Sequence, residues 1–151
     1  MLDEWLNEVK MHDVFFRDIG EFLIRLGYQM KRSSTKAFQI EFVKKGKRIA
    51  KFGYNDKYGP SFYMKYYASK SYSRYFHERI RETIEEFDFK YTGMLKGAIE
   101  NVGYTYRYPD GRTYFRFHSE MIDCGLPPLD YLPEIKELLK TQDTYWILGG
   151  K

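Results

Sequence analysis

Only one cysteine, Cys124, occurs in the 151 residues. No intramolecular disulfide can form, and a reducing compartment is expected. No apolar run approaches the roughly 18 residues needed to cross a bilayer. The opening residues, Met1-Leu2-Asp3-Glu4-Trp5, place acids where a secretory leader carries basic residues. The expectation is a soluble, cytoplasmic protein with no membrane partner. Catalytic signatures are missing as well. There is no nucleophile elbow, no zinc-protease pair of histidines, no P-loop and no dinucleotide-binding glycine pattern. The sequence therefore assigns no catalytic residue, no metal ligand set and no cofactor.

Aromatic residues, by contrast, are abundant: fifteen Tyr and twelve Phe in a chain that is 43% hydrophobic. A length of 151 residues with that apolar content supports one domain and a substantial core. Tyrosines suit half-buried strand positions, with the ring packed and the hydroxyl wet. Charge is unevenly spread. Between Lys31 and Arg74 stand twelve Lys/Arg and two acids, Glu41 and Asp56, together with six tyrosines. The rest of the chain holds 13 basic and 19 acidic residues, so the formal +4 conceals a polarised molecule.

Periodicity predicts an α+β fold. Trp5, Leu6, Val9, Phe16, Ile19, Leu23 and Leu26 form one apolar stripe over residues 2–26. Asp3 is the expected N-cap and Gly27 the residue just past the helix end. Asp13 and Gly20 leave two shorter helices as the alternative. Phe38, Ile40 and Phe42 then alternate with Gln39, Glu41 and Val43. A three-residue turn, Lys44-Lys45-Gly46, pairs Ile40 with Ala50 and Phe38 with Phe52. A two-residue turn would put Lys51 opposite Ile40, so the longer turn is preferred. After the turn-rich residues 55–60, a third strand over 61–68 places Phe62, Met64 and Tyr66 inward. A second helix is expected at about 71–88.

The expected core is thus an antiparallel three-stranded sheet flanked by two helices, in the order α-β-β-β-α. A β-hairpin and a C-terminal helix follow. All of it forms a single domain over 1–151, with 1–90 and 100–151 as its natural sub-units. Tyr108-Pro109-Asp110-Gly111-Arg112 marks the hairpin turn, pairing Tyr108 with Arg112. Of its two faces, the one carrying Phe115 and Phe117 is expected to meet the core. The last helix should run from about Asp130 to Ile147, with Leu132, Ile135, Leu139 and Trp146 inward.

The outer face of the three-stranded sheet collects Gln39, Glu41, Val43, Lys47, Ile49, Lys51, Ser61, Tyr63, Lys65 and Tyr67. From it Lys47, Lys51, Tyr63, Lys65 and Tyr67 are the candidate binding residues. Cations neutralise phosphate and release counterions, and flat rings give unpaired bases a stacking surface. Lysines and aromatic pairs also occur on sheets merely as stabilisers and aggregation blockers. A third outcome is that the acidic C-terminal part folds over the basic face. His118, Glu120, Asp123 and Cys124 lie within seven residues, but without metal-site spacing a structural role is preferred. His77-Glu78 reads as a solvated helix face, and His12 as a surface histidine.

Function is expected to be that of a small binding or regulatory module whose Lys/Tyr face contacts a polyanion, nucleic acid first among them. The alternatives are an interaction module for an acidic protein or a second copy, and a motif-less enzyme or small-ligand binder. No nucleic-acid-binding module is recognisable in the sequence.

Overall fold

The computed structural model describes residues 1–8, 13–33, 38–86, 103–107, 111, 113–117 and 121–151. Helix α1 spans Leu2–Glu8 and α2 spans Val14–Arg25. The alternative of two helices is the one adopted. Asp13 has extended backbone angles, and its carboxylate accepts a hydrogen bond from the Phe15 N–H at 2.9 Å. That cap starts a new helix where the stripe would have continued. Gly20 remains inside α2. A Cβ there would lie 2.8 Å from Leu2 Cδ2, so the missing side chain is what lets α1 close on α2. Past the end of α2, Gly27 adopts φ 98°, and the Tyr28 N–H reaches back to the Leu23 carbonyl. This is the expected glycine terminator.

Among the described residues seven strands follow the first two helices: β1 Gln29–Arg32, β2 Phe38–Lys44, β3 Lys47–Asn55, β4 Gly59–Met64, β5 Gly103–Arg107, β6 Thr113–Phe117 and β7 Ile122–Gly125. Helix α3 (Arg74–Glu86) lies between β4 and β5, and α4 (Leu132–Ile147) comes last, preceded by a short 3-10 turn. The main sheet is antiparallel and larger than expected, with five strands in the order β1-β2-β3-β4-β7. Strands β5 and β6 make a separate pair in the expected register, Tyr106 opposite Tyr114. The turn at 108–110 lies outside the described residues.

The β2–β3 connection corrects the sequence reading. The turn has two central residues, Lys45 at φ 50° and Gly46 at φ 78°, flanked by the Lys44–Lys47 pair. Positive φ at both positions matches the right-handed twist of a tight hairpin. The objection to this turn was that it sets Lys51 against Ile40. A β-bulge removes it: Val43 pairs with Arg48 and Phe42 with Ala50, leaving Ile49 as the extra residue. Beyond the bulge Ile40 meets Phe52 and Phe38 meets Tyr54. Ile49 is consequently buried instead of outward-facing. Lys45 is the wrong residue for its own backbone, since left-handed angles cost an L-residue with a long side chain free energy that Asn tolerates. Lys45→Asn is expected to stabilise the fold by about 0.5–1 kcal/mol. Chemical denaturation checks this, and an unchanged or lower midpoint contradicts it.

The core is one continuous cluster. Phe15, Phe16, Ile19 and Leu23 of α2 are buried on the inner sheet face, with Phe16 edge-on to Phe52 and Phe15 edge-on to Phe62. Helix α3 packs against β7 and β5; the Tyr75 hydroxyl donates to the Cys124 carbonyl at 2.7 Å. Tyr104 and Tyr106 of β5 are buried, contrary to the expectation that they would lie on the outer face of the hairpin. The Tyr104 hydroxyl accepts from the Tyr66 N–H at 2.7 Å. Tyrosines carry a polar tip that can satisfy a buried backbone group, and here that capacity outweighs simple hydropathy. The side chains of Phe115 and Phe117 lie outside the description.

Helix α4 is held by two buried polar side chains. Gln142 accepts from the Ala68 N–H at 2.9 Å, just beyond β4. Asp143 accepts from the Tyr28 hydroxyl at 2.9 Å and pairs with Lys44 at 2.6 Å. The C-terminal helix is thereby locked to both the N-terminal helical segment and the basic hairpin.

Candidate functional site

The five sequence-selected residues fall into two groups. Lys51 and Tyr63 are cross-strand partners on the outer sheet face, with the ammonium 4.4 Å from the ring centre. Gly53 leaves room for that ring: a Cβ there would approach Tyr63 to 3.3 Å. The same rung continues to Glu41 on one side and Asp123 on the other. A carboxylate therefore stands at each end of the Lys51–Tyr63 pair, Glu41 beside Lys51 and Asp123 beside Tyr63, and the middle of the sheet face is mixed in charge. Glu41 is also engaged by Arg48 at 2.8 Å.

Lys47, Lys65 and Tyr67 gather elsewhere, around the indole of Trp146. The Lys47 and Lys65 ammonium groups lie 5.4 and 5.9 Å from the Trp146 ring, within the range of cation–π attraction. Tyr67 is only 4% exposed, so it offers no open platform for a base. Its hydroxyl instead accepts from the indole N–H at 3.0 Å, and the two rings meet edge to face. Trp146, expected inward, is half-buried: it packs against the core cluster and also borders the basic end of the sheet. No local pattern could have revealed this, because the indole arrives from a helix about eighty residues further along the chain.

Electrostatics single out the same end. Burial, then Arg48, then Lys47 lower the pKa of Lys65 from its ordinary value. Three cations are thus close enough to oppose one another, and only Arg48 has an ion-pair partner among the described residues. Lys45 extends the group at the exposed turn. Crowded like charges cost stability and are a mark of sites shaped for an opposite charge. The C-terminal part does fold back on the basic segment, but among the described residues it neutralises one lysine there, Lys44, through Asp143.

A cleft of about 300 Å³ opens between the β2–β3 turn and the end of α4. Tyr28, Lys44 and Asp143 lie along it with Lys45, Lys47 and Trp146. A second hollow of about 380 Å³ lies along α4 among Glu137, Lys140, Thr141 and Thr144. It gathers no cluster of like charge.

Other candidate chemistry recedes. Cys124 is fully buried, and burial raises its thiol pKa, so it is no thiolate nucleophile. Asp123 is exposed and accepts from the Gly125 N–H. His77 packs on the Tyr106 ring at 4.7 Å, and Glu78 pairs with Arg81 at 2.7 Å. His12, His118 and Glu120 lie outside the described residues. Among the described residues no helix is long and apolar enough to cross a membrane. No family model, curated protein or solved structure matches this chain, so the site is read from its own geometry.

Proposed function

We propose that this protein is a binding module for a polyanion, and that single-stranded nucleic acid is the class its site fits best. The observation that carries the reading is the crowding of Lys47, Lys65 and Arg48 beside the half-buried indole of Trp146. Cations at that density supply phosphate neutralisation and counterion release. A Trp face supplies stacking, worth roughly 1–3 kcal/mol per base and open only to unpaired bases. Lys51 and Tyr63 continue the track across the sheet face, where a second base and phosphate could lie. Tyr67 serves the site indirectly by fixing the indole.

The test is binding of a labelled single-stranded oligonucleotide as a function of salt. Three to four phosphate contacts predict a log–log slope of about −2 to −3, or roughly a 20- to 50-fold loss of affinity between 50 and 200 mM salt. Lys47→Glu with Lys51→Glu should weaken binding at least about 30-fold at low salt, since each removes one phosphate contact and adds a repulsion. Lys65 is left intact because burial already disfavours its charge, so reversing it would perturb the fold. No retention of the native protein at low salt, or a variant that binds unchanged, refutes the proposal. Equal competition by polyglutamate would move the reading to an acidic protein partner.

A further inference from the structure

We propose that the cleft between the β2–β3 turn and α4 receives a nucleoside carrying a terminal phosphate monoester, a reading that rests on the proposed polyanion function. Three ammonium groups and one carboxylate line this cleft, giving it about two net positive charges. A phosphate monoester carries about −1.5 to −2 at neutral pH, whereas a phosphodiester carries one negative charge. The charge balance therefore matches a terminal phosphate better than an internal one.

The residues divide the recognition between them. Asp143 Oδ1 is occupied by the Tyr28 hydroxyl and by Lys44, whose ammonium also donates to the Leu26 carbonyl at 2.8 Å. This fixed base of the cleft cannot reorganise without breaking three buried or part-buried contacts. Lys45 and Lys47 form no ion pair among the described residues and can take the phosphate. The indole of Trp146 also lines the cleft, with the Lys47 ammonium over its ring, so a base would stack on it beside that cation. Asp143 Oδ2 has no hydrogen-bond partner among the described residues and can accept from a ribose hydroxyl or an exocyclic amine. The volume stands at the lower end of small-molecule sites, which suits one nucleotide and no more. The same chemistry could be presented by a free nucleotide or by the phosphorylated end of a strand.

Trp146 reports occupancy directly in a Trp5→Phe background, because Trp5 is the only other tryptophan. Adenosine 5′-monophosphate, adenosine and inorganic phosphate are titrated against its emission. The monophosphate should quench saturably and bind at least about tenfold tighter than adenosine, the added charge-assisted contacts supplying the difference. Lys45→Asn should weaken the monophosphate about fivefold or more while preserving or raising stability, so misfolding cannot imitate the result. A 5′-phosphorylated oligonucleotide binding tighter than its 5′-hydroxyl twin identifies a strand end. Equal oligonucleotides, with the monophosphate still bound, identify a free nucleotide. Unchanged emission, or Lys45→Asn binding as the native protein does, overturns the cleft assignment. Should salt-dependent oligonucleotide binding survive that outcome, the polyanion reading stands alone. If the monophosphate binds and long strands do not, the cleft survives and the wider track is refuted.

Discussion

Raising the pH above about 10 is expected to unfold this protein in one cooperative step. Tyr28, Tyr66, Tyr67 and Tyr104 are each no more than 4% exposed, and burial is the largest cause raising every one of their pKa values from 10.0. The hydrogen bond from Tyr28 to Asp143 pushes the same way. The sign follows directly. Above pH 10 the unfolded chain releases these protons while the folded chain retains them, so the unfolded state binds fewer protons and stability falls as pH rises. Each such tyrosine removes up to about 1.4 kcal/mol per pH unit once its unfolded pKa is passed. Their losses add, against a total stability of only about 5–15 kcal/mol. Cys124, also raised by burial, adds to the loss from about pH 9.

Lys65 works against this trend. Its lowered pKa means the unfolded state holds the extra proton, so its contribution to stability improves as pH rises toward 10.5. One lysine does not offset four tyrosines and a thiol. Tyrosinate absorbance and circular dichroism, followed together, check the prediction. The buried tyrosines should ionise only as the backbone signal collapses. Smooth ionisation near pH 10 with the fold intact would show that these hydroxyls are open to solvent.

Local pattern exposed much of the fold. The α2 stripe, the alternation in β2 and the extent of α4 follow from periodicities that report burial on one face, and the β5–β6 register follows from the Pro-Asp-Gly turn signature. Two strands were hidden for a physical reason. Strand β1, Gln-Met-Lys-Arg, is an edge strand with little to bury and so no apolar alternation to read. Strand β7 is four residues long and interrupted by a register shift, which leaves too little period to detect. The hairpin failed differently. Matching apolar partners across a regular ladder favours the longer turn, whereas a bulge at Ile49 satisfies both the tight-turn geometry and the matching at once.

The candidate site was half legible for a related reason. Lys51 and Tyr63 are neighbours because the sheet makes them so, and strand alternation reveals that. Lys47, Lys65 and Tyr67 owe their grouping to Trp146, which belongs to another element and is placed by the Gln142 and Asp143 anchors of α4. Charge density along the chain pointed to the correct segment. It could not indicate that Glu41 and Asp123 would dilute the middle of the face while the hairpin end stayed basic.

Phe52→Ala should destabilise the protein by about 3–5 kcal/mol, the range for emptying a fully buried aromatic site. Phe52 lies on the central strand of the five and is inaccessible to solvent. Its ring meets Phe16 of α2 and Phe42 of β2 edge to face, each at 4.9 Å, and tilts toward Phe62 of β4 at 6.0 Å. Each such pair is worth about 0.5–1.5 kcal/mol beyond area burial, and truncation loses all three together. Collapse of the cavity is restricted because its walls belong to three different elements. Phe38→Ala is the informative comparison. Phe38 begins β2, is only half-buried and lies under the Arg32 guanidinium at 4.9 Å, so its loss should cost about 1–2 kcal/mol. Urea denaturation of both variants, with an unchanged slope as evidence that the unfolded state is comparable, gives the difference. If Phe52→Ala costs no more than Phe38→Ala, then α2 does not rest on the middle of the sheet. The inner and outer faces assigned to Phe52 and Lys51 would then have to be exchanged, and with them the surface on which the proposed binding track lies.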